Sequence, residues 1–225
     1  MSARNTILAA VRRNLPQPPV ALPDVSSPRP RVVSSLGYHE HLTKLPEVRL
    51  DQHCEQFALS DFRQQLEAMG GRSFEVTGPD AAQKKLAELF PNAKVICSAT
   101  PELTGNRKID TTTDPHSLND VDVGIARSRL GVAEAGAVWL TQDDLVVDAL
   151  GVLSQHLIVL LDPDAIVCNL HDVYHRLDLT ASPYGLFMAG PSATGDIEGV
   201  IIHGAQGARS LTVFLTGTLG EGSIH

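Results

Sequence analysis

Two stretches of this chain carry the side chains best suited to chemistry. In Gly131-Val-Ala-Glu134-Ala-Gly136-Ala-Val, a carboxylate stands among small residues with no cation beside it. Partly buried, Glu134 would have a raised pKa and could act as base or nucleophile; exposed, it is a turn residue. In Gly190-Pro-Ser192-Ala-Thr194-Gly-Asp196-Ile-Glu-Gly-Val-Ile-Ile-His203-Gly204, hydroxyls, two carboxylates and an imidazole follow one another closely. His203 could titrate near neutrality or donate to an anion, and a hydrogen-bonded structural histidine is the alternative. Asp196 and Glu198 fall where a short helix would open, which favours negative charge but repels a phosphate. No Lys or Arg lies between Pro183 and Arg209, and neither a Walker A lysine nor a strand followed by G-x-G-x-x-G is present. The stretch therefore suits a polar, hydrogen-bonded ligand better than a strongly anionic one. Plain connection chemistry is the competing reading of the same turn.

The elements around these stretches set where they sit. The apolar run Leu186–Ala189 predicts a buried strand ending at Gly190, so that strand, loop and helix start meet where open α/β sheets place ligands. Upstream, residues 51–69 pattern as a helix stopped by Gly70-Gly71, followed by a strand at 73–77. A helix at 80–90 and a strand at 94–97 complete a β-α-β alternation that implies parallel pairing. Residues 99–120 form a long polar loop whose Arg107-Lys108 pair suits solvated surface. Strands are expected at 121–126 and 135–141, the latter in a hairpin with 145–147 across Gln142-Asp143-Asp144. His156–Leu161 reads as a central parallel strand. Asp162-Pro163-Asp164 should open a helix with Ile166, Leu170, Val173 and Leu177 on one face. A final strand is expected at 211–215. Ahead of all this, residues 5–15 pattern as an amphipathic helix, and six prolines from Pro16 to Pro30 make an extended linker.

Composition narrows the function. At 225 residues, with 18 basic and 26 acidic side chains for a net charge of −8, the chain is poorly suited to nucleic acid, which needs clustered cations. Its 3 cysteines, Cys54, Cys97 and Cys168, form no C-x-x-C pair, so no zinc ribbon or cysteine-ligated cluster is expected. Cys97 and Cys168, in apolar runs, read as reduced core residues. His171 and His175 have metal-chelating spacing but fall off the helix's apolar stripe, so exposure rather than a metal site is expected. No apolar run approaches a membrane span, and a cytoplasmic location is the default.

The two chemical stretches resemble signatures of the lactate utilisation (LUD) domain family. Gly190–Gly204 is similar to that family's P-S-x-T-x-D-I-E…H-G, the Glu134 segment to its A-[DE]-T-G, and His156-Leu-Ile-Val to its H-I-x-V strand. The helix and proline-rich segment at the N-terminus resemble lactate utilisation protein C. The resemblance implies a Rossmann-like three-layer α/β sandwich with a mainly parallel sheet. It is the fold of the ribose-5-phosphate isomerase, glucosamine-6-phosphate deaminase and CoA-transferase superfamily. Residues 1–35 would be the helix and linker and 36–225 the LUD-type domain. The resemblance further implies a component of L-lactate oxidation to pyruvate, accessory to separate iron–sulfur proteins and holding no cofactor in this chain. Glu134 and His203 become the candidate catalytic residues, with Gly136, Ser192, Thr194, Asp196 and Gly204 as candidate ligand-binding positions. The alternative is an enzyme or sensor for a hydroxy or keto acid, a CoA ester or a sugar phosphate. Ala193 stands where the family commonly has Arg, and Ala135 and Ala137 where it has Thr, so an anion would need Arg107, Arg127 or Arg129 instead.

Overall fold

Two apolar runs introduced by a polar residue, His156–Leu161 and Ser210–Leu215, become adjacent strands of a five-stranded parallel sheet. In the computed structural model, residues 50–177, 182–196 and 198–217 are described (backbone only at 50–56), together with Arg4, Asn5, Ala9, Ala10 and Arg13. Backbone contacts divide the chain into Met1–Glu47 and Val48–His225. Every element below belongs to the second unit. Of the helix expected at residues 5–15, the described Asn5, Ala9, Ala10 and Arg13 are helical, as is Arg4 before it. The linker and the expected boundary near residue 35 lie outside the described residues.

The sheet has the order β1-β11-β6-β3-β2, from β1 (Arg72–Glu75), β11 (Ser210–Leu215), β6 (His156–Leu161), β3 (Val123–Ser128) and β2 (Ile96–Ser98). All its pairings are parallel. The run expected at the centre, His156–Leu161, occupies the middle position, buried on both faces. From β1 the chain crosses the whole sheet to β2 and then steps back strand by strand. Right-handed connections therefore put the first crossover on one face and the later ones on the other.

On the first face lies α2 (Pro79–Leu89), whose Ala82 and Leu86 pack with Val123, Ile125, Ile158, Leu160 and Phe214. On the other, α1 (Leu50–Ala68) seats Phe62 and Leu66 against Ala126, Leu157, Val159, Leu211 and Val213. Phe62 and Leu66 are fully buried, each worth about 1.5–3 kcal/mol in transfer from water. A second sheet shares that face, ordered β7-β4-β5-β8 from β7 (Ile166–Val167), β4 (Leu130–Val132), β5 (Ala137–Thr141) and β8 (Gly185–Met188). The architecture is thus a three-layer α/β sandwich around a mainly parallel sheet, as the sequence predicts.

Three local expectations are corrected. The hairpin after β5 does not form. Gln142–Leu145 instead coil into a one-turn helix, α3, started by a capping box between Thr141 and Asp144. It stops at Val146, whose φ of 63° closes a tight turn from the Leu145 carbonyl to the Val147 N–H at 2.7 Å. A short helix, α4 (Leu150–Leu153), follows. Asp162–Leu177 is likewise not one helix. A 3₁₀ turn at Pro163–Ala165 feeds β7, and α5 (Leu170–Arg176) begins only where the Asn169 side chain accepts the Asp172 N–H. The short helix expected to open at Asp196 and Glu198 does not form, and β9 (Ala193–Thr194) pairs with β10 (Ile202–His203) as a two-stranded arm. Glu198 and Gly199 both take positive φ at its turn, which no helix start would allow.

Candidate functional site

Glu134 lies in a 3₁₀ turn between β4 and β5, closed by Gly136 in the left-handed conformation. Its side chain is exposed, and the carboxylate Oε1 accepts the Leu170 N–H at 2.7 Å. The Glu134 N–H in turn donates to the Cys168 carbonyl at 3.0 Å. A carboxylate at a helix N-terminus meets an otherwise unpartnered donor and the positive end of the dipole. Glu134 thus secures α5 to the β4–β5 connection. The alanines on either side serve packing: Ala137 is buried, and Ala135 packs partly buried beside Val132, Val167 and Leu170.

The second stretch leaves β8 and returns to β11. Val138 pairs with Met188 in antiparallel register, which brings the start of β5 and the end of β8 to one edge of the small sheet. Both strand ends abut the end of α1. A Cβ on Gly136 would overlap the backbone of Gln65 and Leu66. One on Gly70, just past the helix, would lie 3.4 Å from Pro191 Cδ and 3.9 Å from His203 Cε1. The two stretches singled out in the sequence therefore gather around the last turn of one helix.

Their functional groups do not join. Thr194 Oγ1 donates to Asp196 Oδ2 at 3.2 Å, and the Asp196 N–H donates back to Thr194 Oγ1 at 3.3 Å, a closed local pair. Among the described residues, no hydrogen bond links Glu134 to Ser192, Thr194, Asp196 or His203. His203 is exposed on the arm, whose tip carries Val200 and Ile201 at 59% and 63% exposure. The arginines that could have replaced the missing family cation are committed elsewhere. Arg107 holds Asp120 through both guanidinium nitrogens, at 2.5 and 2.7 Å, and Arg127 holds Glu102 at 2.6 Å. Arg129 pairs with Asp144 at 3.1 Å.

The location of the loop is itself a correction. It follows β8, an antiparallel strand of the small sheet, and so does not lie at the carboxyl edge of the parallel sheet. It runs instead along the opposite, amino edge. The Ser192 N–H donates to the Ala208 carbonyl at 2.9 Å and the Gly204 N–H to the Ser192 carbonyl at 2.8 Å, which delivers Arg209 to the start of β11. Ser192 thus acts through its backbone. Gly204, with φ of 82°, packs directly on Arg209, where a Cβ would overlap Cγ. Arg209 was not singled out in the sequence. The available signal was a cation placed immediately before an apolar strand run, on the heels of His203-Gly204.

Two expectations about cysteine and histidine divide. Cys97 is a free thiol in the core, and burial pushes its pKa up. Cys168 is disulfide-bonded rather than reduced. His171 and His175 are both exposed, as their position off the apolar stripe implies. Among the described residues no group of three or more His, Cys, Asp or Glu is placed to hold a metal ion. No described helix is long and apolar enough to cross a membrane.

The chain is similar to a DUF162 family protein from Deinococcus radiodurans whose crystal structure is known. The TM-score is 0.54 at 16% identity, over 72% of this chain and 98% of the other. At that identity the likeness concerns the fold. No curated protein matches the sequence. Residues 115–216, spanning β3 through β11 with both distinctive stretches, match the LUD domain family. The part of the chain that holds both stretches is thus similar to the LUD domain.

Proposed function

We propose that this chain is an accessory component of L-lactate oxidation to pyruvate, working in the cytoplasm beside separate iron–sulfur proteins. The LUD domain family is associated with lactate utilisation, which supports the process. The accessory role rests on one observation, the 2.7 Å hydrogen bond from the Leu170 N–H to Glu134. The carboxylate best suited by its surroundings to act as a base is spent on holding a helix. A general base needs its lone pair directed at a substrate proton, with a partner to orient it. Glu134 has instead an exposed position and a backbone donor, and His203 and the Thr194–Asp196 pair stand apart from it.

Coexpression of the full chain with iron–sulfur partners tests the reading. The chain should co-purify with them, and it should be required for lactate-dependent electron transfer by the assembly. Glu134→Gln keeps an oxygen to accept the Leu170 N–H, so assembly and turnover should match the parent. A chain that elutes alone beside its partners would contradict the proposal. So would a Glu134→Gln complex that assembles but no longer turns over.

A further inference from the structure

Three strands of the parallel sheet begin at one level, with Val123, His156 and Ser210 in register across β3, β6 and β11. The residues just before them, Asp122, Gln155 and Arg209, continue the ladder. The His156 N–H donates to the Asp122 carbonyl at 2.9 Å and the Arg209 N–H to the Gln155 carbonyl at 2.8 Å. With Phe90 and Asn92 from the α2–β2 connection, they line an open, more polar than apolar cavity of about 470 Å³ at the amino edge of the sheet. That volume falls in the range of small-molecule sites, on the order of 300–1,000 Å³. Nothing in the accessory role uses it.

The lining specifies a ligand class. Arg209 is exposed, and among the described residues its guanidinium has neither an ion pair nor a hydrogen bond. The Arg209 Cγ lies against Gly204, where a side chain would leave it no room. His156 Nδ1 is 2.8 Å from Ser210 Oγ, and its ring lies against Phe90 with centroids 4.8 Å apart. Burial, with Arg209 and Arg72 nearby, holds the imidazole below its ordinary pKa. It is therefore neutral at pH 7, with Nε2 unpartnered among the described residues. Asp122 Oδ2 accepts the N–H groups of Lys94 and Val95 at 2.6 and 2.9 Å, which keeps its pKa low and its charge in place. Arg209 in the lining, with Arg72 close enough to act on His156, is balanced against the Asp122 carboxylate, a net charge that suits one negative charge better than two. The Phe90 ring supplies an apolar wall for the body of the ligand.

We infer that the cavity bounded by Arg209, His156, Gln155, Asp122 and Phe90 is a binding site for a small organic monocarboxylate. Arg209 receives the carboxylate, and His156 and Gln155 meet polar substituents beside it. The site stands independently of the accessory role, because it can be tested on the purified chain without partners.

The full chain is titrated with 4-fluorobenzoate followed by fluorine NMR, with inorganic phosphate as competitor. The aromatic acid should bind, and an equal concentration of phosphate should leave it bound. Arg209→Gln should weaken binding roughly tenfold, the loss of one charge-assisted pair of hydrogen bonds. Arg209→Lys should fall between, since it keeps the charge and loses the fork. Arg176→Gln, on the exposed last turn of α5, serves as the control and should bind like the parent. Absence of binding by the parent chain would overturn the inference. So would displacement by phosphate, or an Arg209→Gln protein that melts and binds like the parent.

Discussion

Thr212 illustrates what a single atom can cost. It sits in β11 with no solvent exposure, and its Oγ1 has no hydrogen-bond partner. A hydroxyl buried without a partner loses its water hydrogen bonds and regains nothing, a penalty of about 1–3 kcal/mol. Thr212→Val keeps the β-branched shape that a strand favours and removes the unpaired oxygen. The variant should be more stable by about 1 kcal/mol, read as a higher urea midpoint at unchanged slope. Glu134 shows the limit of reading single residues. Its odd setting was visible in the sequence, but its partner, the N–H of Leu170, lies 36 positions away and becomes a neighbour only when β4 and β7 pair.

At the scale of elements, close approach between segments decides more than propensity. Gly136 lets the β4–β5 turn lie directly on α1, with φ of 56° and no room for a side chain against Gln65 and Leu66. Gly136→Ala adds left-handed strain to a clash with helix backbone that cannot yield without moving α1. It should cost about 3 kcal/mol or more, measured by equilibrium unfolding. The long elements were legible because their periodicity is local: α1, α2 and the five parallel strands lie within a few residues of where the pattern puts them. The short ones were not. α3 was expected to be a hairpin turn, and its capping box, Thr141 with Asp144, is only a sequence hint until the chain bends. The 193–203 arm looked like a helix start because Asp and Glu after Ser and Thr suit one. Positive φ at Glu198 and Gly199, set by pairing of two-residue strands, has no comparable signature.

At the scale of the whole molecule, the amino edge of the parallel sheet links stability to pH. His156 has its pKa lowered by burial first and then by Arg209 and Arg72. The unfolded chain, with a histidine pKa of about 6.5, therefore binds the proton more readily than the folded one. Stability from this group is fully present above about pH 6.5 and is lost as pH falls through the folded value. Urea midpoints measured from pH 8 to 5 should decline in the parent below that pH. The decline should be smaller in His156→Asn, and identical slopes would show that another group carries it.

By itself the sequence determined the alternation of strands and helices, the parallel core around His156–Leu161 and the likeness to the LUD family. These depend on side-chain period and short motifs, which neighbouring residues carry among themselves. Only the tertiary structure decided which edge of the sheet receives the Ser192–Gly204 loop, that Glu134 fastens a helix, and that Arg209 stands beside His156. Each of those facts depends on strands far apart in sequence pairing in one register. The pairing follows from burial of the whole core, which is shared among distant residues and written in no single stretch.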